Sequence, residues 1–146
     1  MTETTEQSAL TVIGMRRELK FRAWDGTKSP RSVGMIYRTF YDRSWYTEDN
    51  IRIYGARRFD RTTLSVMQFT GLKDIAGKEI YEGDIVECEL SWKGGALPHA
   101  GVVVFCNTYG AFATKNESGE TLLHKHLLNT FKIIGNIYQK PELLIG

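Results

Sequence analysis

Turn residues punctuate this chain at short intervals, and that limits most of it to short strands. Gly71, residues 74–77, Gly83-Asp84, Gly94-Gly95, Pro98, residues 107–110 and residues 117–119 follow one another through the second half. Glycine supplies positive φ, proline fixes φ, and Asp or Asn bonds nearby backbone. The gaps between these signals suit strands of about five or six residues rather than helices of ordinary length.

The intervening residues carry a strand period. Leu19, Phe21 and Ala23 alternate with Lys20, Arg22 and Trp24, which predicts a half-buried strand ending at the Asp25-Gly26 turn. Residues 33–41 predict a second strand, and residues 42–50 a polar loop carrying Trp45 and Tyr46. Ile51 and Ile53 predict a short strand. Residues 62–70 predict another, with Leu64, Val66 and Gln68 on one face, broken at Gly71. Residues 85–90 alternate, residues 101–105 form an apolar run suited to burial on both faces, and residues 131–138 alternate again. Residues 122–128 have apolar positions at helical spacing and predict one or two helical turns. Pro141-Glu142 fits the first turn of a short terminal helix. The expected class is mainly β with little helix: small, partly open barrels, an SH3-like barrel at the C-terminal side preceded by a β-rich N-terminal part. Three segments are expected: a flexible 1–14, a basic and aromatic-rich β subdomain over 15–66, and a β-barrel subdomain over 67–146.

Charge separates the halves more sharply than the net value of +2 indicates. Residues 15–61 hold twelve Lys/Arg against six Asp/Glu, whereas residues 62–146 hold seven lysines against nine acids. All ten arginines lie between Arg16 and Arg61, beside nine of the seventeen aromatic residues. Arginine grips phosphate and carboxylate in a fixed fork and stacks on rings, which lysine does not do. Exposed aromatics beside arginines suit nucleotides and single strands. The candidate ligand- or partner-binding residues are Trp45, Tyr46, Arg52, Arg57, Arg58 and Arg61. The competing account is an aromatic core with a solvated arginine rim, because Arg stems commonly cover apolar surface.

Catalytic signatures are missing from the sequence. There is no GxSxG elbow, no phosphate-binding GxxxxGK[ST] loop, no HExxH and no CxxC. His124 and His126 would diverge on a helix, so no metal site and no cofactor is expected. Cys88 and Cys106 lie in strand-like runs and are expected to be buried free thiols. The start of the chain lacks the basic and apolar pattern of a secretory signal, and no run approaches a membrane span. The expected location is the cytoplasm, without membrane contact.

Three segments carry a family resemblance. They are residues 18–25 (ELKFRAWD), residues 67–74 (MQFTGLKD) followed by 77–86 (GKEIYEGDIV), and residues 134–138 (IGNIY) followed by PELL at 141–144. In this order they resemble the YopX-type proteins of phages and prophages. The resemblance implies a small β-rich protein of a bacterial host's phage, with no established activity and no catalytic residue to carry over. Residues 1–14 and 26–66 depart from the pattern. Within the matched segments Gly71, Gly77 and Gly83 read as turn formers, Asp74 and Asp84 as turn caps, and Glu79 and Glu82 as water-facing. A carboxylate pair for acid–base chemistry is the alternative there. The expected function is a non-catalytic accessory binding protein, a homo-oligomer acting on a host or phage protein in host takeover or counter-defence. The alternative is a binder of anions or nucleotides, holding single-stranded nucleic acid or a sequestered nucleotide signal through the arginine-rich half.

Overall fold

A computed structural model of the chain describes residues 18–26, 34–39, 42, 44–53, 64–92, 95–117, 119–123 and 131–144. They form eleven strands: β1 Lys20–Asp25, β2 Met35–Thr39, β3 Trp45–Tyr46, β4 Arg52–Ile53, β5 Leu64–Lys73, β6 Glu79–Tyr81, β7 Asp84–Trp92, β8 Gly95–Cys106, β9 Ala111–Asn116, β10 Gly119–Leu122 and β11 Lys132–Asn136. A 3₁₀ turn, Pro141–Leu144, stands where the terminal helix was expected. No described helix is long and apolar enough to cross a membrane.

The strands assemble into two antiparallel sheets. One has the order β4-β3-β2-β1-β5-β6, the other β10-β9-β8-β7-β11. The mainly β expectation holds, but neither sheet closes into a barrel. Leu123 follows β10 and Phe131 precedes β11, and both turn into the core instead of bringing those edges together. They pack with Ile80, Val86 and Val103, flanked by Leu72, Phe112 and Ile133. Each such side chain contributes roughly 1.5–3 kcal/mol by leaving water.

Several local expectations change. Residues 42–50 are not all loop, because Tyr46 pairs with β2 and both Trp45 and Tyr46 pair with β4. β5 runs through Gly71, whose φ of +86° accompanies a register shift between Phe69 and Lys73. A bulge keeps the strand going where a turn was expected. Val66 is exposed while Met67 and Phe69 are buried, so the apolar face of β5 is the odd-numbered one. β8 starts at Gly95 and includes Pro98, opposite Glu89. β11 reaches only Asp84–Glu87 on β7 and β9 only Val102–Cys106 on β8, so this stretch has no other described strand beside it. That is where a strand tolerates proline. Leu122 ends β10 rather than opening a helix; residues 124–130, with His124 and His126, lie outside the described residues. The position expected to separate 15–66 from 67–146 falls inside β5.

The β6–β7 turn joins the sheets. Gly83 has φ +84°, its N–H donates to Val103 O at 2.8 Å, and its carbonyl accepts from Ile137 N at 3.0 Å. A Cβ at this position would come within 2.9 Å of Met67 Sδ. Asp74 makes the second link. Its Oδ1 accepts from the amides of Ala76 and Lys78 in the β5–β6 turn, and its Oδ2 from Ile133 N on β11. Trp24 stacks on Tyr138 with ring centroids 6.2 Å apart.

Candidate functional site

Register across the first sheet builds a row of side chains. Arg22 on β1 pairs with Tyr37 on β2, Tyr37 with Tyr46 on β3, and Tyr46 with Arg52 on β4. Directly paired residues of antiparallel strands share a face. On the other side of β1, Arg22 pairs with Met67, and Phe69 further along β5 pairs with Tyr81 on β6. The sheet curls so that β6 comes over this face toward β1 and β2. The Tyr81 ring lies 6.0 Å from that of Tyr37 and 4.8 Å from the Arg22 guanidinium, although β1 and β5 separate β6 from β2.

The curl encloses a groove of about 620 Å³. Three phenols line it: Tyr37, Tyr46 and Tyr81. Lys20, Arg22, Arg38 and Lys78 bring positive charge, and Asp42, Glu48 and Glu79 negative charge. The groove is therefore close to electrically balanced, despite lying in the basic half of the sequence.

Arg22 anchors the floor. Its side chain is 6% exposed and its Nη2 donates to Asp84 Oδ1 at 2.8 Å and to the Glu82 carbonyl at 3.0 Å. Asp84 Oδ2 accepts from Tyr81 N at 2.8 Å. Arg22 Nε is buried with no acceptor among the described residues. Burial pushes the Asp84 carboxyl above the usual range, against the opposing pull of Arg22 and the Tyr81 amide. Lys20 bridges Glu79 at 2.7 Å and Glu18 at 3.4 Å, and its ammonium sits 5.6 Å from the Phe69 ring centre.

The far wall is made by the β3–β4 turn. Asn50 adopts φ +64°, a conformation Asn tolerates, and Thr47 accepts from the amides of Asn50 and Ile51. Tyr46 Oη donates to Asp42 Oδ2 at 2.6 Å, and Ser44 N donates to Asp42 Oδ1. The Tyr46 hydrogen bond, followed by that of Ser44, holds the Asp42 carboxyl below its usual range; the same bond raises Tyr46. Burial, then the Glu48 charge, raises Tyr37. Burial, then Glu79, raises Tyr81 well above a free phenol.

The structure divides the residues singled out from sequence. Tyr46 enters the groove. Trp45, next in the chain, does not line it; the Arg38 guanidinium lies 5.8 Å from its ring. Arg52 stands beside Tyr46 at the open end of the row, near enough for its charge to act on Asp42. Arg57, Arg58 and Arg61 lie outside the described residues. Arg22, Tyr37 and Tyr81 were missed. The available signal was Arg22 alternating with Lys20 and Trp24 on a side assumed wet, and Asp84 opening an apolar run.

The acids of the matched segments mostly serve the backbone. Glu82 Oε1 accepts from Gln68 N at 2.8 Å, and Asp74 and Asp84 cap turns as described. Glu82 and Glu79 thus have partners instead of facing only water. No group of three metal-ligating side chains occurs among the described residues. Cys106 is buried and free, with Glu120 Oε2 at 2.9 Å from its sulfur; the Cys88 side chain is not among those described.

The crystal structure of protein EF1440 from Enterococcus faecalis is similar at 24% identity, covering 86% of this chain and 97% of that one, with a TM-score of 0.48. No curated protein matches. The family model described as YopX protein matches residues 20–145, from the first residue of β1 to the end of the 3₁₀ turn and one residue beyond. The chain belongs to the YopX protein family.

Proposed function

We propose that this protein is a phage-borne accessory protein that binds without catalysis and takes a small ligand in the tyrosine-lined groove of the first sheet. The supporting observation is the groove itself: about 620 Å³, three phenols, and both signs of charge around its rim. Small-molecule sites commonly occupy roughly 300–1,000 Å³ and combine ring faces with a few polar groups. A protein-docking surface would need on the order of 800 Å² of apolar-centred area per partner. The large apolar side chains exposed here, such as Ile51, Val66, Ile75 and Tyr109, come from different elements, and scattered exposure of that kind is ordinary. The groove therefore favours the ligand-binding reading over the protein-partner reading.

Absence of catalysis is supported by prior commitments. Glu79 is tied to Lys20, Asp42 to Tyr46 and Ser44, and Asp84 to Arg22 and the Tyr81 amide. A stoichiometric binder of this kind acts by removing a small molecule from its host's pool. The test is thermal denaturation with fractionated bacterial small-molecule extract. At least one fraction should raise the wild-type midpoint by several degrees, about the effect of ligand at a hundredfold excess over Kd. Tyr46→Ala should abolish the rise. A rise that survives both Tyr46→Ala and Tyr37→Ala would move binding away from the groove.

A further inference from the structure

Resting on that reading of the groove, we infer that its ligand is a flat aromatic ring bearing one anionic group, as in a nucleoside monophosphate. Donors and acceptors are distributed unevenly along the groove. At the β1–β6 end are Lys78, exposed and without an ion pair among the described residues, and Arg22, whose buried Nε–H lacks an acceptor there. Lys78 lies near enough for its charge to act on Asp84, so both cations serve one corner. Arg22 is itself held by Asp84 and the Glu82 carbonyl, so Lys78 carries the uncommitted charge of this corner; Lys20 is engaged by two carboxylates, and Arg38 by the Asp42 carbonyl and the Trp45 ring. One anionic group suits that corner.

The middle of the groove is aromatic. Tyr37 and Tyr46, both half-buried, present ring surface on which a planar ligand packs without regard to its detailed substitution, and Tyr81 is buried behind them against Arg22 and Phe69. The opposite end is polar and mostly accepting. Glu48 and Asn50 project from the β3–β4 turn, and Glu48 is close enough to act on the Tyr37 phenol. A ring with N–H groups on its edge satisfies such a wall. A long polyanion does not, because Asp42, Glu48 and Glu79 would repel each phosphate after the first. The charge balance thus selects a mononucleotide-like ligand over single-stranded nucleic acid.

Calorimetric titration of the full chain tests this with adenosine monophosphate, adenosine, orotate, inorganic phosphate and a single-stranded oligonucleotide. The monophosphate should bind at least tenfold more tightly than either adenosine or phosphate alone. Its affinity should fall only on the order of threefold between 50 and 200 mM salt, as for one phosphate contact, rather than a thousandfold. Lys78→Ala removes an exposed ammonium and leaves the Lys78 backbone bond to Asp74 in place. It should weaken the monophosphate about tenfold, one charge-assisted contact, while changing adenosine less than twofold. Tight binding of orotate in place of the monophosphate, with the same Lys78 dependence, supports a carboxylate as the anionic group. Oligonucleotide binding tighter than monophosphate binding, or adenosine binding as tightly as its monophosphate, overturns the ligand class. Binding lost in Tyr46→Ala but unchanged in Lys78→Ala also overturns it while leaving the groove as the site. Binding indifferent to both substitutions overturns the groove reading as well, as does failure of every probe together with every extract fraction.

Discussion

Removing either partner of the Arg22–Asp84 pair should have unequal consequences. The two side chains are 6% and 3% exposed and 2.8 Å apart. Breaking a buried pair typically costs about 3–5 kcal/mol, because one charge is left without its counterion. The cost depends on whether the survivor can neutralise itself. In Asp84→Asn the survivor is Arg22, which cannot lose its proton under these conditions, so the full cost of about 3–5 kcal/mol is expected. In Arg22→Met the survivor is Asp84, whose carboxyl burial already raises. It escapes by taking a proton, so a smaller loss of about 1–3 kcal/mol is expected. A domain of this class has about 5–15 kcal/mol in total, so Asp84→Asn removes a large fraction. With a urea slope of about 2 kcal/mol/M, its midpoint should fall by roughly 2 M, and that of Arg22→Met by about 1 M. The pH response has a definite sign. A carboxyl with a raised folded pKa contributes stability below its unfolded pKa and loses it as pH rises toward the folded value. Arg22→Met should raise that folded pKa further, so this variant should gain stability relative to wild type as pH falls from 7 toward 5. Urea midpoints at pH 5 and 7 provide the measurement. Equal losses in the two variants, or an Arg22→Met deficit that widens on acidification, would refute the desolvation argument.

Other substitutions test the framework around the groove. Asp74→Ala strips the acceptor from three amides, those of Ala76, Lys78 and Ile133, and should cost more than 3 kcal/mol at about 1–3 each; Asp74→Asn should recover part of it in chemical denaturation. Gly83→Ala places a Cβ at φ +84° and 2.9 Å from Met67 Sδ, and should lower stability by about 1–3 kcal/mol. Met67→Ala in that background should relieve the contact without restoring wild-type stability, as read by thermal melts, because the backbone strain stays. Spectrophotometric titration should find Tyr37, Tyr46 and Tyr81 ionising above the range of a free phenol. Since the folded values are raised, their contribution is intact below the unfolded pKa of about 10 and lost as pH climbs past it. Stability that increases above pH 10 would contradict those assignments.

Much of this protein was legible before folding was considered. Gly71, Gly77 and Gly83 take φ of +86°, +82° and +84°, and Asp74 and Asp84 cap backbone amides, as their residue types indicate. Strand alternation and the three family segments located most of the elements. These features depend on a few neighbouring residues, so sequence alone determined them. The groove belongs to a different class of fact. Arg22 meets Asp84 across 62 positions, and Tyr37 meets Tyr81 only because the sheet curls. Period-two alternation says that Trp45 and Tyr46 face opposite sides, but not which side is concave. It cannot tell a wet face from one covered by a distant strand, so it left open that Arg22 and the odd-numbered face of β5 are buried. Strand order, the open sheets and the convergence of three tyrosines with balanced charge were settled by tertiary packing, because burial belongs to the whole surface and not to any segment of the chain.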